Sequence, residues 1–179
     1  MKKFLVSFAA ALALLFALGT LGGAAVLRAY PTTYREETLR YYDDWRLVLS
    51  LIKAESGFRA DATSNVGACG LMQILPSTAA FVAERNEIES YDLYDPQDNI
   101  RIGCLYIRYL EERFPDLTAM LAAYNAGEGT VRLWLLNPDL SPDGVRLTGI
   151  PYTETARYVK KIEKYYSNYK KIYLTNEGK

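Results

Sequence analysis

The sequence predicts a mainly α-helical domain of about 150 residues that follows an N-terminal membrane-directed segment. Apolar residues recur at spacings of three and four in several stretches, which is typical of amphipathic helices, and we find no convincing strand alternation or internal repeat. A charge-free run from Phe4 to Leu27 follows Lys2 and Lys3. We therefore divide the chain into residues 1–29, which direct it to the membrane, and residues 30–179, which form one domain.

Residues 1–29 are predicted to be either an uncleaved membrane anchor or a cleaved signal peptide. The charge-free run is 24 residues long. A membrane-spanning helix needs about 20 apolar residues, whereas the apolar region of a signal peptide has about 7–15. The length favours the anchor, but the small residues that end at Ala25 leave a cleavage site open. The two lysines place the N-terminus in the cytoplasm. We therefore expect the domain at the outer face of the cytoplasmic membrane, or secreted if the segment is cleaved.

Six helices are predicted beyond a linker at residues 29–33, with ends marked by capping residues, Pro and Gly. The first ends at Gly57, the second begins at Pro76, and the third begins at Asp95 and is ended by Pro115. Asp116 caps the fourth, Val131–Leu135 forms a short fifth, and the last begins near Thr153. Residues 58–70 and 137–151 are predicted loops. Apolar stripes mark the first, third and last helices. The stripe of the first consists of Leu39, Tyr42, Trp45, Val48, Leu49 and Ile52, and that of the third of Ile100, Cys104, Ile107, Leu110 and Phe114. The stripe of the last consists of Val159, Ile162, Tyr166, Tyr169 and Tyr173.

Five lysines lie off the apolar stripe of the last helix. We interpret them as a solvated face, with contact to anionic polymers or lipid as the alternative. They are Lys160, Lys161, Lys164, Lys170 and Lys171.

The composition excludes several kinds of function. Because there is no histidine, Ser-His-Asp and Cys-His catalysis and histidine-bearing metal sites are excluded. Two cysteines are too few for a four-cysteine zinc site. The balance of 21 basic and 21 acidic residues lacks the basic excess of a nucleic-acid-binding protein. We therefore expect no cofactor, no metal and no nucleic acid, and any catalysis must use carboxylates, hydroxyls, amides, lysines or tyrosines.

Glu55 is the first candidate for a catalytic group, because it ends an amphipathic helix and precedes Ser56, Gly57 and Phe58. The negative end of the helix dipole disfavours ionisation of a carboxyl there, and burial beside Phe58 acts in the same direction. A glutamate whose pKa is raised to about 6 suits general-acid cleavage of a glycosidic bond. The alternative from position alone is an ordinary glutamate in solvent at a helix end.

Three further motifs hold side chains that suit carbohydrate binding. Gln73 offers an amide in the mostly apolar run from Gly67 to Pro76, Tyr124 offers a ring and a hydroxyl, and Glu154 stands at a helix start. Each also has a plain structural explanation. The run with Gln73 can be a turn followed by a core segment, and Tyr124 can be a core tyrosine near a helix end. Glu154 can compensate the helix dipole.

Together these motifs resemble the signature of the lytic transglycosylases of the soluble-type, goose-lysozyme-like superfamily, the SLT-domain enzymes of glycoside hydrolase family 23. The resemblance covers about residues 40–165, and four blocks carry it in order: ESGFRADATSNVGACGLMQILP, DPQDNIRIGCLYIRYL, AAYNAGEGTV and IPYTETARYV. It implies an α-helical, lysozyme-like domain that cleaves the glycan strands of peptidoglycan as a monomer.

The resemblance also implies the roles of individual residues. Glu55 matches the sole catalytic acid and base. Ser64, Gln73, Tyr124 and Glu154 match positions that contact the substrate in the family. Of these, Tyr124 matches a tyrosine near the cleaved sugar, and Glu154 matches a glutamate that lines the cleft towards the peptide stem. Ser56 and Met72 are expected to line the cleft or to support the residues that do. Leu75 departs from the family pattern, in which many members carry Met, and this change would alter the packing of a neighbouring sugar without touching the chemistry.

The expected reaction leaves a 1,6-anhydro-muramoyl end, with Glu55 acting first as the acid and then as the base. Two alternatives stay open on the same fold, a muramidase that uses water and a non-catalytic peptidoglycan-binding anchor protein. Most glycosidases need two carboxyls about 5–9.5 Å apart. No second acid in the sequence has a convincing claim, because Asp61, the nearest in sequence, stands in a loop.

Cys69 and Cys104 have two interpretations. Outside the cytoplasm the pair can oxidise to a disulfide that ties the cleft loop to the third predicted helix. Two buried free thiols are the equal alternative, since free cysteines are commonly buried.

Overall fold

The computed structural model describes residues 25–173, and it confirms the mainly helical fold. The described part divides into a short unit that ends at Thr33, in which residues 25–29 are helical, and a compact unit that begins at Tyr34. The helices of the compact unit are α1 (Arg35–Leu39), α2 (Trp45–Glu55), α3 (Pro76–Arg85), α4 (Pro96–Glu111), α5 (Leu117–Ala126), α6 (Glu128–Leu135) and α7 (Thr153–Ile172). No strand forms between residues 25 and 173, where only isolated bridges join Cys69 to Thr63 and to Ile74.

The predicted membrane-directed segment lies outside the described residues, except for its last five positions. Within residues 25–173, no helix is both long enough and apolar enough to cross a membrane.

Helix α5 forms the centre of the compact unit. Its five residues from Ala119 to Ala123 are buried, and it packs against α4, α6 and α7. A helix that is apolar on all sides must be covered by other elements, which explains why the three neighbours surround it. Tyr124, near the end of this helix, is therefore held by a rigid element.

Helices α2 and α7 form the most extensive helix pair, and they run antiparallel. At one end of the pair Trp45 is buried against Tyr169 and Tyr173, with ring centroids 6.1 and 5.5 Å apart. At the other end Tyr158 of α7 reaches Glu55 of α2. The aromatic stripe predicted for the last helix thus docks on the domain, and this docking places the end of α2 beside the start of α7.

The helix starts predicted at Asp95 and Asp116 are confirmed by their caps, whereas the short helix predicted from Val131 begins earlier, at Glu128. Asp95 accepts hydrogen bonds from the backbone N–H groups of Gln97 and Asp98 at 2.9 and 3.1 Å. Asp116 accepts one from Ala119 at 3.0 Å. These carboxylates satisfy donors that have no partner inside the helix, which is why Asp stands at both positions.

The prediction of one continuous first helix is wrong, because the chain breaks between α1 and α2. Asp44 accepts a hydrogen bond from the backbone N–H of Arg46 at 3.2 Å, and this cap starts a new helix at Trp45. Such local side-chain hydrogen bonds compete with continuation of a helix. Of the predicted stripe, Tyr42 is nevertheless buried, whereas Leu39 is 38% exposed, so the apolar spacing reported burial only from Tyr42 onwards. Similarly, α4 ends at Glu111, and Phe114 is buried just beyond the helix.

Candidate active site

Glu55 is the last residue of α2, and its carboxyl lies half-buried between α2 and α7. The Tyr158 hydroxyl donates a hydrogen bond to its Oε1 atom at 2.5 Å. Burial raises the pKa of Glu55 from an ordinary value of 4.5 to about 7, although the Tyr158 hydrogen bond and the charge of Lys161 act in the opposite direction. Glu55 is therefore partly protonated near neutral pH, which is what a general acid requires.

Tyr158 is a site residue that the sequence reasoning missed. Burial and the neighbouring Glu55 charge raise the pKa of Tyr158 well above its ordinary value, so its hydroxyl stays protonated and donates a hydrogen bond to the carboxyl. Two signals in the sequence could have identified it: Tyr158 lies within the motif block IPYTETARYV, and it stands four residues after Glu154 and so shares a helix face with it.

Lys161 also faces the end of α2. Its Nζ donates a hydrogen bond to the backbone carbonyl of Ala54 at 2.9 Å. A cation at this place satisfies a carbonyl that has no partner in the helix and opposes the negative end of the helix dipole. Lys161 is exposed at the surface, as predicted for this face of the helix, and the hydrogen bond to Ala54 is a contact that the sequence did not reveal.

Gln73 stands in the turn before α3 with a positive φ of 50°, a conformation that residues other than glycine rarely adopt. Its Nε2 atom donates to the carbonyls of Gly70, at 2.9 Å, and Ala62, at 3.1 Å. Both amide hydrogens are thus used within the loop. The hydrogen bonds made between residues 25 and 173 leave the Gln73 side-chain oxygen available as an acceptor.

The turn that carries Gln73 is held by Asn99 of α4, which is buried. The Asn99 amide donates to the carbonyls of Cys69 and Leu93 at 3.0 and 2.8 Å and accepts from the N–H of Met72 at 2.8 Å. Gly70 has a φ of +73°, and a Cβ atom there would collide with the Leu93 carbonyl and the Asn99 amide. This close approach explains why glycine is required at that position.

Tyr124 of α5 faces the same turn. Its hydroxyl donates to the Met72 carbonyl at 2.9 Å. Burial and the charge of Glu55 raise the pKa of Tyr124 well above its ordinary value, so the phenol lies within electrostatic reach of the carboxyl. The Met72 side chain is itself buried against Gly103, and Met72 meets Tyr124 through its backbone.

Gln73 and Tyr124 line a cavity of about 280 Å³, which we call the inner cavity. Leu75, which is partly exposed, Thr78 and Tyr106 contribute to the same wall.

The other predicted site residues, Glu55 included, are not among the residues that line the inner cavity. Ser64 stands in the loop, and its hydroxyl accepts a hydrogen bond from the N–H of Ala68 at 2.9 Å. Ser56 is buried, and its hydroxyl donates to the Ile52 carbonyl of its own helix at 3.3 Å. Glu154 is exposed in the first turn of α7, one turn before Tyr158 on the same face.

The arrangement offers one carboxyl that exchanges a proton near pH 7, with the Tyr158 hydroxyl hydrogen-bonded to it and its charge acting on Tyr124. Within residues 25–173, no other carboxylate perturbs the pKa of Glu55. The same part of the chain holds no cluster of three or more acidic or cysteine residues that would bind a metal ion. Cys69 and Cys104 are free and buried in the structure.

Comparison with known proteins agrees with this geometry. The family model described as "Transglycosylase SLT domain" matches residues 32–142. The "Soluble lytic murein transglycosylase" of Escherichia coli K12 is 35% identical over 151 residues, which cover 79% of this chain and 23% of that protein. The "Membrane-bound lytic murein transglycosylase C" of Haemophilus influenzae is 35% identical over 117 residues, which cover 58% of this chain and 33% of that protein. The chain thus spans a quarter to a third of the length of these relatives.

Two solved structures share the fold. The complex of a 70-kDa soluble lytic transglycosylase with bulgecin A superposes with a TM-score of 0.73 at 31% identity, over 82% of this chain and 25% of that one. An inactive glutamate-to-glutamine mutant of the lytic transglycosylase Slt from Pseudomonas aeruginosa superposes with a TM-score of 0.68 at 30% identity, over 79% of this chain and 24% of that one. These matches confirm the predicted lysozyme-like helical fold.

Proposed function

Because the chain belongs to the transglycosylase SLT domain family, we propose that it is a lytic transglycosylase that cleaves the bond between N-acetylmuramic acid and N-acetylglucosamine in peptidoglycan. The observation that carries the proposal is the half-buried Glu55, whose pKa of about 7 lets it donate and accept a proton near neutral pH. The named activity of both relatives and the loss of activity on glutamate replacement in the Pseudomonas aeruginosa enzyme support it.

The reaction begins with transfer of the Glu55 proton to the bridging oxygen, whose bond to C1 of the muramic residue breaks. The 2-acetamido group of that sugar stabilises the positive charge at C1. The Glu55 carboxylate then takes the proton of the C6 hydroxyl as its oxygen bonds to C1, which closes the 1,6-anhydro ring. One group that serves as acid and then as base suffices, and the proton returns to where it started.

Transglycosylation fits the site better than hydrolysis does. Most glycoside hydrolases use a second carboxylate, either as nucleophile or to activate water, at about 5–9.5 Å from the first. The influences on the pKa of Glu55 are burial, Tyr158 and Lys161, and none of them is a carboxylate. In transglycosylation the C6 hydroxyl of the muramic residue takes the place of water as the nucleophile. Its attack on C1 is intramolecular, so proximity supplies much of the rate.

The surrounding residues have roles in substrate binding on this proposal. The free Gln73 oxygen accepts from an amide or hydroxyl of the sugar, and Tyr124 contacts the residue at the cleaved bond. Glu154 and Ser64 line the cleft, Glu154 towards the peptide stem. Leu75 packs against a neighbouring sugar. Tyr158 and Lys161 moderate the rise in the pKa of Glu55 that burial causes, and Ser56 and Met72 support the surroundings of this carboxyl.

We further propose that the domain, residues 30–179, acts as a monomer outside the cytoplasmic membrane. Residues 1–29 either anchor the domain at the outer face of the cytoplasmic membrane or are cleaved, in which case the domain is secreted to the cell wall. The sequence of this segment supports both, and the substrate, peptidoglycan, lies on that side. Electrophoretic mass analysis of the protein recovered from a membrane fraction distinguishes the two, because cleavage removes about 25 residues.

Digestion of purified cell walls tests the proposed activity. We expect Glu55→Gln to abolish the fall in turbidity, because the amide cannot donate or accept the proton, while Tyr158 still donates to its oxygen and the fold is kept. Glu89→Gln is the matched control, since Glu89 is an exposed glutamate in a loop, and it is expected to digest walls like the wild type. Substantial digestion by the folded Glu55→Gln protein would overturn the assignment.

A further inference from the structure

Helix α7 carries four basic side chains in a row on the side that faces away from the domain, and we call them the basic row. They are Arg157, Lys160, Lys164 and Lys171, and all four are exposed. They follow one another by three, four and seven residues, steps that bring side chains back to the same side of a helix. The buried side chains of α7 occupy the opposite side, and they are Thr155, Val159, Ile162 and Tyr169.

The basic row has no charged partner in the domain. Within residues 25–173 none of its four side chains forms a salt bridge or a hydrogen bond. Helix α7 has two acidic residues. Glu154 lies in its first turn, before the row, and Glu163 accepts a hydrogen bond from the Thr118 hydroxyl of α5 at 2.9 Å. The positive charges of the row are therefore available to a ligand outside the domain.

The charge of the row contrasts with that of the rest of the domain. Residues 34–152 contain 11 basic and 18 acidic residues, whereas α7 contains six basic and two acidic ones. A solvated helix face can carry charges of either sign, so this concentration of positive charge on one side indicates binding of anions. The row is about 21 Å long at the rise of a helix. This length matches an extended anionic surface, since a small anion needs side chains that converge on one point.

The compact unit begins close to the end of α2 that contacts α7. Tyr34, its first residue, stacks on Phe58 with ring centroids 6.4 Å apart. Phe58 follows the end of α2, where the Ala54 carbonyl accepts a hydrogen bond from Lys161 of α7. Only six residues separate Tyr34 from Leu27, the last residue of the charge-free run, and this connection spans at most about 25 Å. A membrane that holds the charge-free run therefore lies within a short distance of this part of the domain.

We propose that the basic row binds the anionic phospholipid headgroups of the membrane, as a second contact in addition to the N-terminal segment. This binding rests on the proposed location at the membrane and not on the proposed reaction. Each basic side chain near an anionic lipid surface strengthens the binding about fivefold. Because Tyr158 meets Glu55 on the side of α7 that packs on α2, lipid on the outward side leaves the carboxyl accessible. Cleavage is then directed to glycan strands close to the membrane.

Acetylation of lysines in the full chain, reconstituted in lipid nanodiscs, tests the proposal. The discs contain either phosphatidylcholine alone or phosphatidylcholine with one third phosphatidylglycerol, and mass spectrometry gives the acetylation rate of each lysine. At low salt we expect Lys160, Lys164 and Lys171 to react at least about fivefold more slowly in the anionic discs. In about 1 M salt, which screens charges beyond about 3 Å, the rates in the two discs should converge. Equal rates in the two discs at low salt would overturn the proposal.

A double charge reversal with a matched control assigns the effect to the row. In the variant Lys160→Glu/Lys164→Glu we expect Lys171 to react at the same rate in both kinds of disc. The variant Arg85→Glu/Arg108→Glu reverses two exposed charges on α3 and α4, and it is expected to keep the full slowing of the row. Slowing of Lys171 that persists in the first variant, or that is lost equally in both, would overturn the proposal.

A soluble polymer of glycerol phosphate, added to the phosphatidylcholine discs, separates lipid from an anionic polymer of the wall. We expect it to slow the row less than anionic lipid does, because the N-terminal segment holds lipid beside the domain. Greater slowing by the polymer than by the lipid would assign the row to the wall and overturn the proposal.

Failure of the proposed function gives a different result from failure of the row. Retention of the chain in phosphatidylcholine discs reports on the N-terminal segment alone. Digestion of purified walls by Lys160→Glu/Lys164→Glu is expected to match the wild type. If neither protein cleaves walls while anionic lipid slows acetylation of the row, the proposed reaction is refuted and lipid binding is supported.

Discussion

Replacing Glu55 by Gln is expected to stabilise the folded protein at neutral and alkaline pH. Because the carboxyl is half-buried, its pKa is raised from 4.5 to about 7. The folded state then holds this proton more tightly than the unfolded state does, so stability decreases as the pH rises from about 4.5 to about 7. The gap between the two values corresponds to about 3 kcal/mol of lost stability above pH 7. The neutral amide does not carry this cost.

Urea unfolding of both proteins at several pH values measures the effect. We expect equal free energies of unfolding near pH 4, where the carboxyl is protonated in both states. At pH 8 the Glu55→Gln protein should be more stable by about 2–3 kcal/mol, a value set slightly below the full cost because the site is partly open to solvent. Glu89→Gln, at an exposed position, controls for removal of one negative charge. A constant difference between wild type and Glu55→Gln across this pH range would refute the raised pKa.

Three further substitutions follow from the same geometry. Tyr158→Phe removes a hydrogen bond that lowers the pKa of Glu55, so the alkaline limb of the pH profile of kcat/KM should move to higher pH; an unmoved limb would exclude Tyr158 from the site. Lys161→Met should move the limb in the same direction by less, and high salt should make the wild type and this variant converge, since the lysine is exposed and its charge is screened. Asn99→Ala leaves two carbonyls and one N–H without their buried partner and should cost about 2–4 kcal/mol in urea unfolding; a cost below about 1 kcal/mol would show that the turn is held in another way.

The helical architecture was largely predictable because its determinants are local. Asp95 and Asp116 cap the helices that follow them, and each does so through N–H groups two or three residues away. The break between α1 and α2 was missed because the apolar spacing continues across it. Apolar spacing indicates side chains that face the core, and Tyr42 meets that requirement from a turn as well as it would from a helix.

The candidate site was predictable only where a motif marked it. Glu55, Gln73 and Tyr124 were found through the family resemblance, and the structure places the last two on one cavity. Tyr158 was missed because its partner Glu55 lies 103 residues earlier in the chain. A contact of that kind depends on how α2 docks on α7, which no local pattern encodes. For the same reason Lys161 could not be told apart from the neighbouring solvated lysines.

Digestion of purified peptidoglycan in water enriched in heavy oxygen, followed by mass spectrometry of the released muropeptides, tests the central claim most directly. If Glu55 directs attack by the substrate's own C6 hydroxyl, the products carry 1,6-anhydro ends and contain no oxygen from the solvent. Reducing muramic ends that carry the heavy isotope would show that water is the nucleophile, and would contradict the assignment of this site as a transglycosylase.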